Sequence, residues 1–550
     1  MSGLWPYTRT NLRGDLTAGM VVAVILIPQA LAYAMLAGLP PIYGLYASTI
    51  PLVLYALFGS SRQLSVGPAA TVSLLVFSSL APLATPESPS YLALAVLLTF
   101  LIGASQLLMG LLRFGFIATF LSHGVIRAFT AAAAILIILS QLKHILGIAL
   151  TSGGSFLSTM GQLMQQWQDI HGLTLLFGAA SMLLLIAVKK WRFPVPGPLL
   201  LIPLATLLTY LFRLDQKGLG IAGPVASGFP SVRLPMLQHD MDTYTSLIPL
   251  ALTIALVSFV ESTSIARSLA TSSRDQSRPN RDLIGLGLAN LSSSLVSALP
   301  VTGGLSRSAM NRQSGAQTQL ASIITAVLIS ATLLFFTSAF YYLPMSALAA
   351  MIIVGVAPLI EFRTPSSYFR IKKSDGWVWV VAFAGTLLLG VMKGILLGVV
   401  FSLMLFIKRS AYPHTAELGY LPQKQLYRNV LRYPEAKTMP GVLIFRMDAS
   451  FYFANMGYLE KQLHERLEMR RDIRWIILDG SSANAIDAVA LSSLLQFRHE
   501  LQEGGVTLLF AQLKGPVKDL FQRSDWSQYS FHSYAFDTID EALAVIRRDP

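Results

Sequence analysis

Apolar residues occupy the first four hundred positions in long stretches separated by short polar joints, and then the pattern changes. A helix needs about 20 apolar residues to cross the hydrocarbon core of a bilayer. Runs of that character fall at 16–37, 43–59, 68–80, 91–112, 124–147, 171–189, 197–213, 246–269, 283–298, 305–317, 319–337, 344–360, 376–392 and 394–408. The third and tenth are short, and the pairs at 305–337 and 376–408 are nearly continuous. Fourteen segments, an even number, put both termini on one side of the membrane. From Lys408 onward charged residues become dense and apolar runs shrink to strand length: GVLIFRMDA, RWIILDG and VTLLFAQL. They alternate with helical stretches at about 456–470, 487–503, 516–524 and 538–548, an α/β order. The pattern predicts a transmembrane domain over 1–410, a linker over 411–438 and a small cytoplasmic domain over 439–550, a sheet covered by helices.

Composition agrees. Of 550 residues 53% are hydrophobic and 13% charged, and the mean hydropathy is +0.58, values that belong to a polytopic membrane protein. The first apolar run is too long for a cleavable signal peptide and lacks a small-residue cleavage site, so targeting is expected through the first span. Loop charge sets the orientation. Lys189 to Arg192, the group Arg267, Arg274, Arg278 and Arg281, and the group Arg363, Arg370, Lys372 and Lys373 follow spans six, eight and twelve. The positive-inside rule assigns these loops to the cytoplasm. Arg9, Arg13, Lys408 and Arg409 agree, whereas TPESPS at 85–90 is acidic and Arg213, Lys217 and Arg233 are offset by Asp215, Asp240 and Asp242. The net charge of +13 thus needs no nucleic-acid partner; inward-facing loops on anionic lipid account for it. Cysteine is absent, which excludes disulfides, thiolate metal sites and a cysteine nucleophile. The tail has no P-loop, nucleophile elbow or HExxH pattern. No enzyme, cofactor or metal is expected.

Candidate chemistry concentrates at one interruption. Leu299 to Asn311 reads LPVTGGLSRSAMN, an arginine inside a glycine-, proline- and hydroxyl-rich break between apolar segments. An arginine at the bilayer centre costs roughly 2.5–3.5 kcal/mol on insertion scales, so Arg307 must face protein, water or an anion. The helix that begins after the break adds free N–H groups and a favourable dipole. A second break of the same grammar, SVGPAATVSLL from Ser65 to Leu75, lies seven spans earlier. Paired breaks of this kind mark the binding site of inverted-repeat transporters, whereas ordinary kinks relieved by neighbouring helices are the plainer reading. Two helix N-termini at about +0.5 each and one arginine would offset about two negative charges. Thr302, Ser306 and Ser308 are candidate donors to oxyanion oxygens, or bond their own backbone. Glu261 lies deep in the run LVSFVESTSIARS, where an ionised carboxylate is costly. It is a candidate proton carrier, or the partner of a structural ion pair. Gln29 and Tyr33, four apart beside Pro28, share a helix face and are placed to line the same cavity. Gln106, Arg127 and Gln141 read as residues at interfaces or between helices.

LPPIYGLYASTIPLVLYALFGSSRQLSVGPAATVSLL, from Leu39 to Leu75, together with TGGLSRSAMN and FVESTSIAR, closely resembles the sulfate permease (SulP) family of anion transporters. The resemblance extends to a C-terminal domain of the sulfate transporter and anti-sigma antagonist (STAS) type. It implies two inverted repeats of seven spans, a core domain of spans 1–4 and 8–11, a gate domain of spans 5–7 and 12–14, an elevator-like cycle and a homodimer. It also implies an anion held by Gln29 and Tyr33, by Ala69 and Ala70 after the SVGP turn, and by Gly303, Gly304, Ser306, Arg307 and Ser308. Glu261 falls where relatives carry an acidic residue tied to cation coupling, and a glutamate there resembles the proton-coupled members rather than the sodium-coupled ones. Ala69 departs from relatives with phenylalanine, leaving a roomier site suited to an oxyanion larger than chloride.

In the tail, DGSSANAID resembles the loop that leads to a phosphorylated serine in anti-sigma antagonists, but Ala488 stands in that serine's place. Ser481 and Ser482 remain the candidates for modification, and the domain is expected to stabilise the dimer or dock a cytoplasmic regulator. The expected activity is proton-coupled import of sulfate or a similar oxyanion across the inner membrane. The alternatives are a bicarbonate or C4-dicarboxylate carrier, an anion exchanger, and, from another class, a membrane-tethered sensor.

Overall fold

Helix forms in each of the fourteen apolar segments. The computed structural model describes residues 9–119, 123–148, 156–191, 197–223, 227–229, 232, 241–270, 278–361 and 363–548. Helix α1 (Arg9–Leu36) continues through Pro28. The second run splits into α2 (Ile42–Tyr46) and α3 (Ile50–Phe58), with Pro51 in the first turn of α3 where its missing N–H is not needed. A short strand, β1 (Val66–Gly67), leads into α4 (Ala70–Leu80). Next come α5 (Pro89–Leu111), α6 (His123–Leu146), α7 (Phe156–Gln165), α8 (Gly172–Lys190), α9 (Gly197–Phe212), α10 (Met241–Leu269) and α11 (Pro279–Leu295). A second short strand, β2 (Thr302–Gly303), precedes α12 (Leu305–Gln313). The region closes with α13 (Leu320–Phe335), α14 (Met345–Val356), α15 (Arg363–Ile371), α16 (Lys373–Leu389) and α17 (Val391–Ala411). Among the described residues six helices are long and apolar enough to cross a membrane unaided. Helices α7 and α15 lie outside the apolar runs and were not foreseen; both are amphipathic and short.

Small residues let helices approach closely where the site is built. A side chain on Gly103 or Gly287 would come within 2.6 Å of the backbone of α11 or α5 respectively, so these two helices touch backbone to backbone. Gly44 brings α2 still more tightly onto α1, where a Cβ would overlap the Ala30 carbonyl oxygen.

The chain divides into two compact units at Ser402 and Leu403. The second carries a six-stranded sheet in the order β4-β3-β5-β6-β7-β8. Its strands are β3 (Thr415–Leu421), β4 (Leu426–Asn429), β5 (Val442–Met447), β6 (Trp475–Asp479), β7 (Thr507–Ala511) and β8 (Ala535–Phe536), of which β5 to β8 run parallel. Helices α18 (Phe453–Met469), α19 (Ala488–Glu503) and α20 (Gly515–Gln522) bury one apolar face of the sheet, and α21 (Ile539–Arg548) the other. The stretch 411–438, expected as a linker, needs correction: β3 and β4 lie in it, and β3 pairs antiparallel with both β4 and β5. Its sequence, TAELGYL, alternates half-buried and buried positions and so contains no apolar run to betray it. Asp487 caps α19, accepting from Ala490 N at 2.7 Å, and Ala488 opens the helix. On the same helix the Arg498 guanidinium lies 4.2 Å from the Tyr529 ring centroid and 5.4 Å from that of Trp526, a cation–π clamp on the segment after α20.

Candidate functional site

The two breaks meet. Strand β1 pairs antiparallel with β2, Val66 opposite Gly303 and Gly67 opposite Thr302. Gly304 N–H donates to the Ser65 carbonyl at 3.0 Å and Ser65 N–H to Ser308 Oγ at 2.9 Å, extending the crossing beyond the strands. Helix α4 leaves one strand and α12 the other. Ala69 and Gly304 stand at their N-caps in extended conformation, and neither helix has a side chain capping its first turn. The first intrahelical acceptors, Ala69 O and Gly304 O, are taken by Ser73 and Ser308. The N–H groups of the preceding first-turn residues have no intrahelical partner, and their partial positive charges add.

Arg307, the third residue of α12, is only 2% exposed. Its Nη1 donates to the Pro68 carbonyl, tying α12 to the turn before α4. Its Nε and Nη2 have no hydrogen-bond partner. Unpartnered donors on a buried cation are costly, and an anion would satisfy them. The glycine at 304 is required for this pose: a Cβ there would lie 2.7 Å from Nη2 and 2.8 Å from Cζ. The Gly304 backbone (φ −104°, ψ 122°) is open to alanine, so Gly304→Ala acts through the guanidinium and not through strain. It is expected to raise the apparent KM for anion uptake about tenfold while the protein still accumulates as wild type does. Uptake kinetics in proteoliposomes, with detergent-solubilised yield as the folding control, check it.

Glu261, on α10, accepts a hydrogen bond from Thr71 Oγ1 of α4 at 2.7 Å. Among the described residues it has no ion-pair partner, so the structural Glu261–Arg307 bridge allowed by the sequence is not formed. Both side chains instead line one cavity of about 930 Å³, together with Gln29, Tyr33, Ala69, Ala70, Gly304 and Ser306. Thr71 and Ser264 line it as well, and these the sequence reading missed. The rest of the lining comes from α6, α8, α9 and α14, including Arg127, Lys189 and Ile352.

Gly303 and Ser308 are not on this wall. Gly303 belongs to β2 and donates its N–H to Ser262 Oγ at 2.9 Å, and the Ser308 hydroxyl accepts from Ser65 in a solvent-free position. Thr302 is likewise internal, donating to the Ser258 carbonyl at 3.0 Å. Ser306 alone of the three hydroxyls faces the cavity. The physical reason is helical: Ser306 and Ser308 are two residues apart, so they point to nearly opposite sides. Gln106 sits between α5, α10 and α11, and Arg127 forms an exposed ion pair with Glu361 at 3.8 Å. Arg192, Arg233, Asp240 and Arg274, part of the loop-charge pattern, lie outside the described residues.

Comparison with known proteins gives two matching family models: the sulfate permease family over residues 12–382 and the STAS domain over residues 433–542. Probable sulfate transporter 4.2 of Arabidopsis thaliana is 38% identical over 550 residues, covering 96% of this chain and 80% of that protein. A probable sulfate transporter of Mycobacterium tuberculosis is 33% identical, covering 98% of this chain and 96% of that protein. Among solved structures, the murine Solute Carrier 26 family member A9 anion transporter in the inward-facing state superposes with a TM-score of 0.92 at 24% identity, over 99% of this chain and 93% of that chain. The transmembrane domain of a cyanobacterium bicarbonate transporter gives 0.62 at 23% identity, over 72% of this chain and 98% of that chain. At these identities the structures bear on the fold alone.

Proposed function

The chain belongs to the sulfate permease family, and on that premise we propose that it imports sulfate or a similar oxyanion by proton-coupled secondary active transport. The observation that carries this reading is Arg307, held between two uncapped helix N-termini on a large cavity with two nitrogens unpartnered. About two positive charges at one point suit a dianion. Names of relatives at 33–38% identity, all sulfate transporters or probable ones, support the same cargo. The cavity is lined both by helices of the expected core, α1, α4, α10 and α12, and by helices of the expected gate, α6, α8, α9 and α14. A cavity lined by both expected domains supports an elevator-like movement of the core past the gate. The cavity reaches Lys189, at the end of α8 that loop charge assigns to the cytoplasm. In this reading both termini and the STAS domain are cytoplasmic, the protein is a homodimer in the inner membrane, and the STAS domain stabilises that dimer or docks a regulator.

A competition panel in proteoliposomes tests the cargo, setting labelled sulfate against bicarbonate, fumarate, nitrate and chloride under an inward proton gradient. Saturable sulfate uptake, displaced by unlabelled sulfate and not by nitrate or chloride, is the expected result. Uptake of labelled bicarbonate or fumarate in the same vesicles without sulfate uptake transfers the reading to those carriers. Purified protein that moves none of them supports the sensor.

A further inference from the structure

Behind Arg307 the second break is held by a chain of buried side-chain amides and hydroxyls. Asn290 of α11 accepts from Val301 N–H at 2.7 Å through Oδ1 and donates to the Val301 carbonyl at 3.1 Å through Nδ2. One side chain thus closes on both backbone groups of one residue, as a neighbouring strand would. Nδ2 also reaches Gln106 Oε1 of α5 at 2.8 Å, and Gln106 Nε2 donates to Ser258 Oγ of α10 at 2.7 Å. The hydroxyls continue the chain. Thr302 gives its proton to the Ser258 carbonyl, so in its 2.8 Å contact with Ser262 the serine is the donor. Ser262 Oγ in turn accepts from Gly303 N–H. Asn290, Gln106, Ser262 and Thr302 are all fully buried. Only one orientation of the Asn290 amide satisfies both Val301 groups, which fixes the direction of the network.

Three residues after Val301 the chain reaches Gly304, the N-cap of α12, and three more reach Arg307. We propose that Asn290, backed by Gln106, is a positioning residue of the anion site: by fixing Val301 it sets the register in which the β2 break delivers the α12 N-terminus and Arg307 to the cavity. Close packing of α5 on α11 is already supplied by Gly103 and Gly287. The amide pair adds direction, because hydrogen bonds specify an orientation that apolar contact leaves free. This rests on the reading of Arg307 as the anion-binding group.

The absence of cysteine provides a test that does not depend on the cargo. Leu305, on the cavity wall two residues before Arg307, is half-exposed, so Leu305→Cys places a single thiol beside the site. The ratio of its labelling rates with an anionic and a cationic methanethiosulfonate of similar size reports the local potential. In the Leu305→Cys chain the anionic reagent is favoured, and Arg307→Ala in that background sets the floor. Adding Asn290→Leu is expected to lower the ratio about fivefold, toward that floor. In the otherwise unaltered chain, Asn290→Leu raises the apparent KM for sulfate severalfold at little changed maximal rate. An unchanged ratio in folded protein overturns the proposal, and so does a lowered ratio with unchanged KM. Should Asn290→Leu fail to accumulate, Gln106→Met, which leaves both Val301 bonds in place, is expected to lower the ratio about twofold, and no change there is equally fatal. A labelling ratio that behaves as expected in a protein that moves no sulfate leaves the positioning role standing and removes the cargo assignment.

Discussion

Arg307→Ala abolishes saturable anion uptake while leaving the protein folded. The two parts of that expectation have separate physical grounds. Removing one partner of a desolvated charge pair costs about 3–5 kcal/mol, roughly 10²–10⁴-fold in affinity, because the remaining charge is left uncompensated. Here the remaining charge is the transported anion itself, and the α4 and α12 N-termini retain only about half of the local positive charge. Folding is spared because Arg307 makes one hydrogen bond, to the Pro68 carbonyl, and its other buried nitrogens have no partner to orphan. Arg307→Lys divides charge from shape. A lysine keeps the charge but cannot hold Pro68 and present a planar fork at once, so uptake persists with the apparent KM raised about tenfold. Labelled sulfate uptake into liposomes of matched protein content, with a thermal-unfolding midpoint for each variant, measures both. Wild-type uptake by Arg307→Ala would sink the site assignment.

The parts of this site that were legible in the sequence are those where membrane physics makes a residue expensive. An arginine and a glutamate in apolar runs, and glycine-proline breaks in corresponding positions, stand out because lipid tolerates them only with a compensating structure. Residues whose value depends on where the fold carries the backbone did not stand out. Asn290 sits in GLANLSSS with nothing in the local pattern to distinguish it, and its role exists only because Val301 is brought opposite. Gln319 is similar: its Nε2 donates to the Ser61 and Leu64 carbonyls, bracing the first break as Asn290 braces the second. The separation of Ser306 from Ser308 was readable, since a helix beginning at Leu305 cannot turn both toward one cavity. In the tail, the central parallel strands β5, β6 and β7 read easily as apolar runs, whereas β4 at the sheet edge and β3 beside it mix polar and apolar residues too evenly to separate from a linker.

Glu261→Gln uncouples uptake from the proton gradient. Glu261 and Arg307 face one cavity without pairing, so the charge of the site depends on whether the carboxyl holds a proton. With Glu261 ionised, the helix termini and Arg307 together leave a net of about +1; with it protonated, about +2. A dianion therefore binds the protonated site more tightly, and by linkage its binding favours protonation, which is the thermodynamic content of symport. Glutamine imitates the protonated form in charge and shape, and its side-chain oxygen still accepts from Thr71 Oγ1. The variant is thus expected to bind sulfate and to exchange labelled for unlabelled sulfate across the membrane. An inward proton gradient should no longer drive accumulation, and the apparent KM should lose its dependence on pH. Counterflow and gradient-driven uptake measured on the same vesicles separate these outcomes. Retained proton-driven accumulation in Glu261→Gln removes Glu261 from the coupling step, and the carboxylate would then serve only to orient α4 through Thr71; wild-type uptake that follows sodium instead overturns the proton reading.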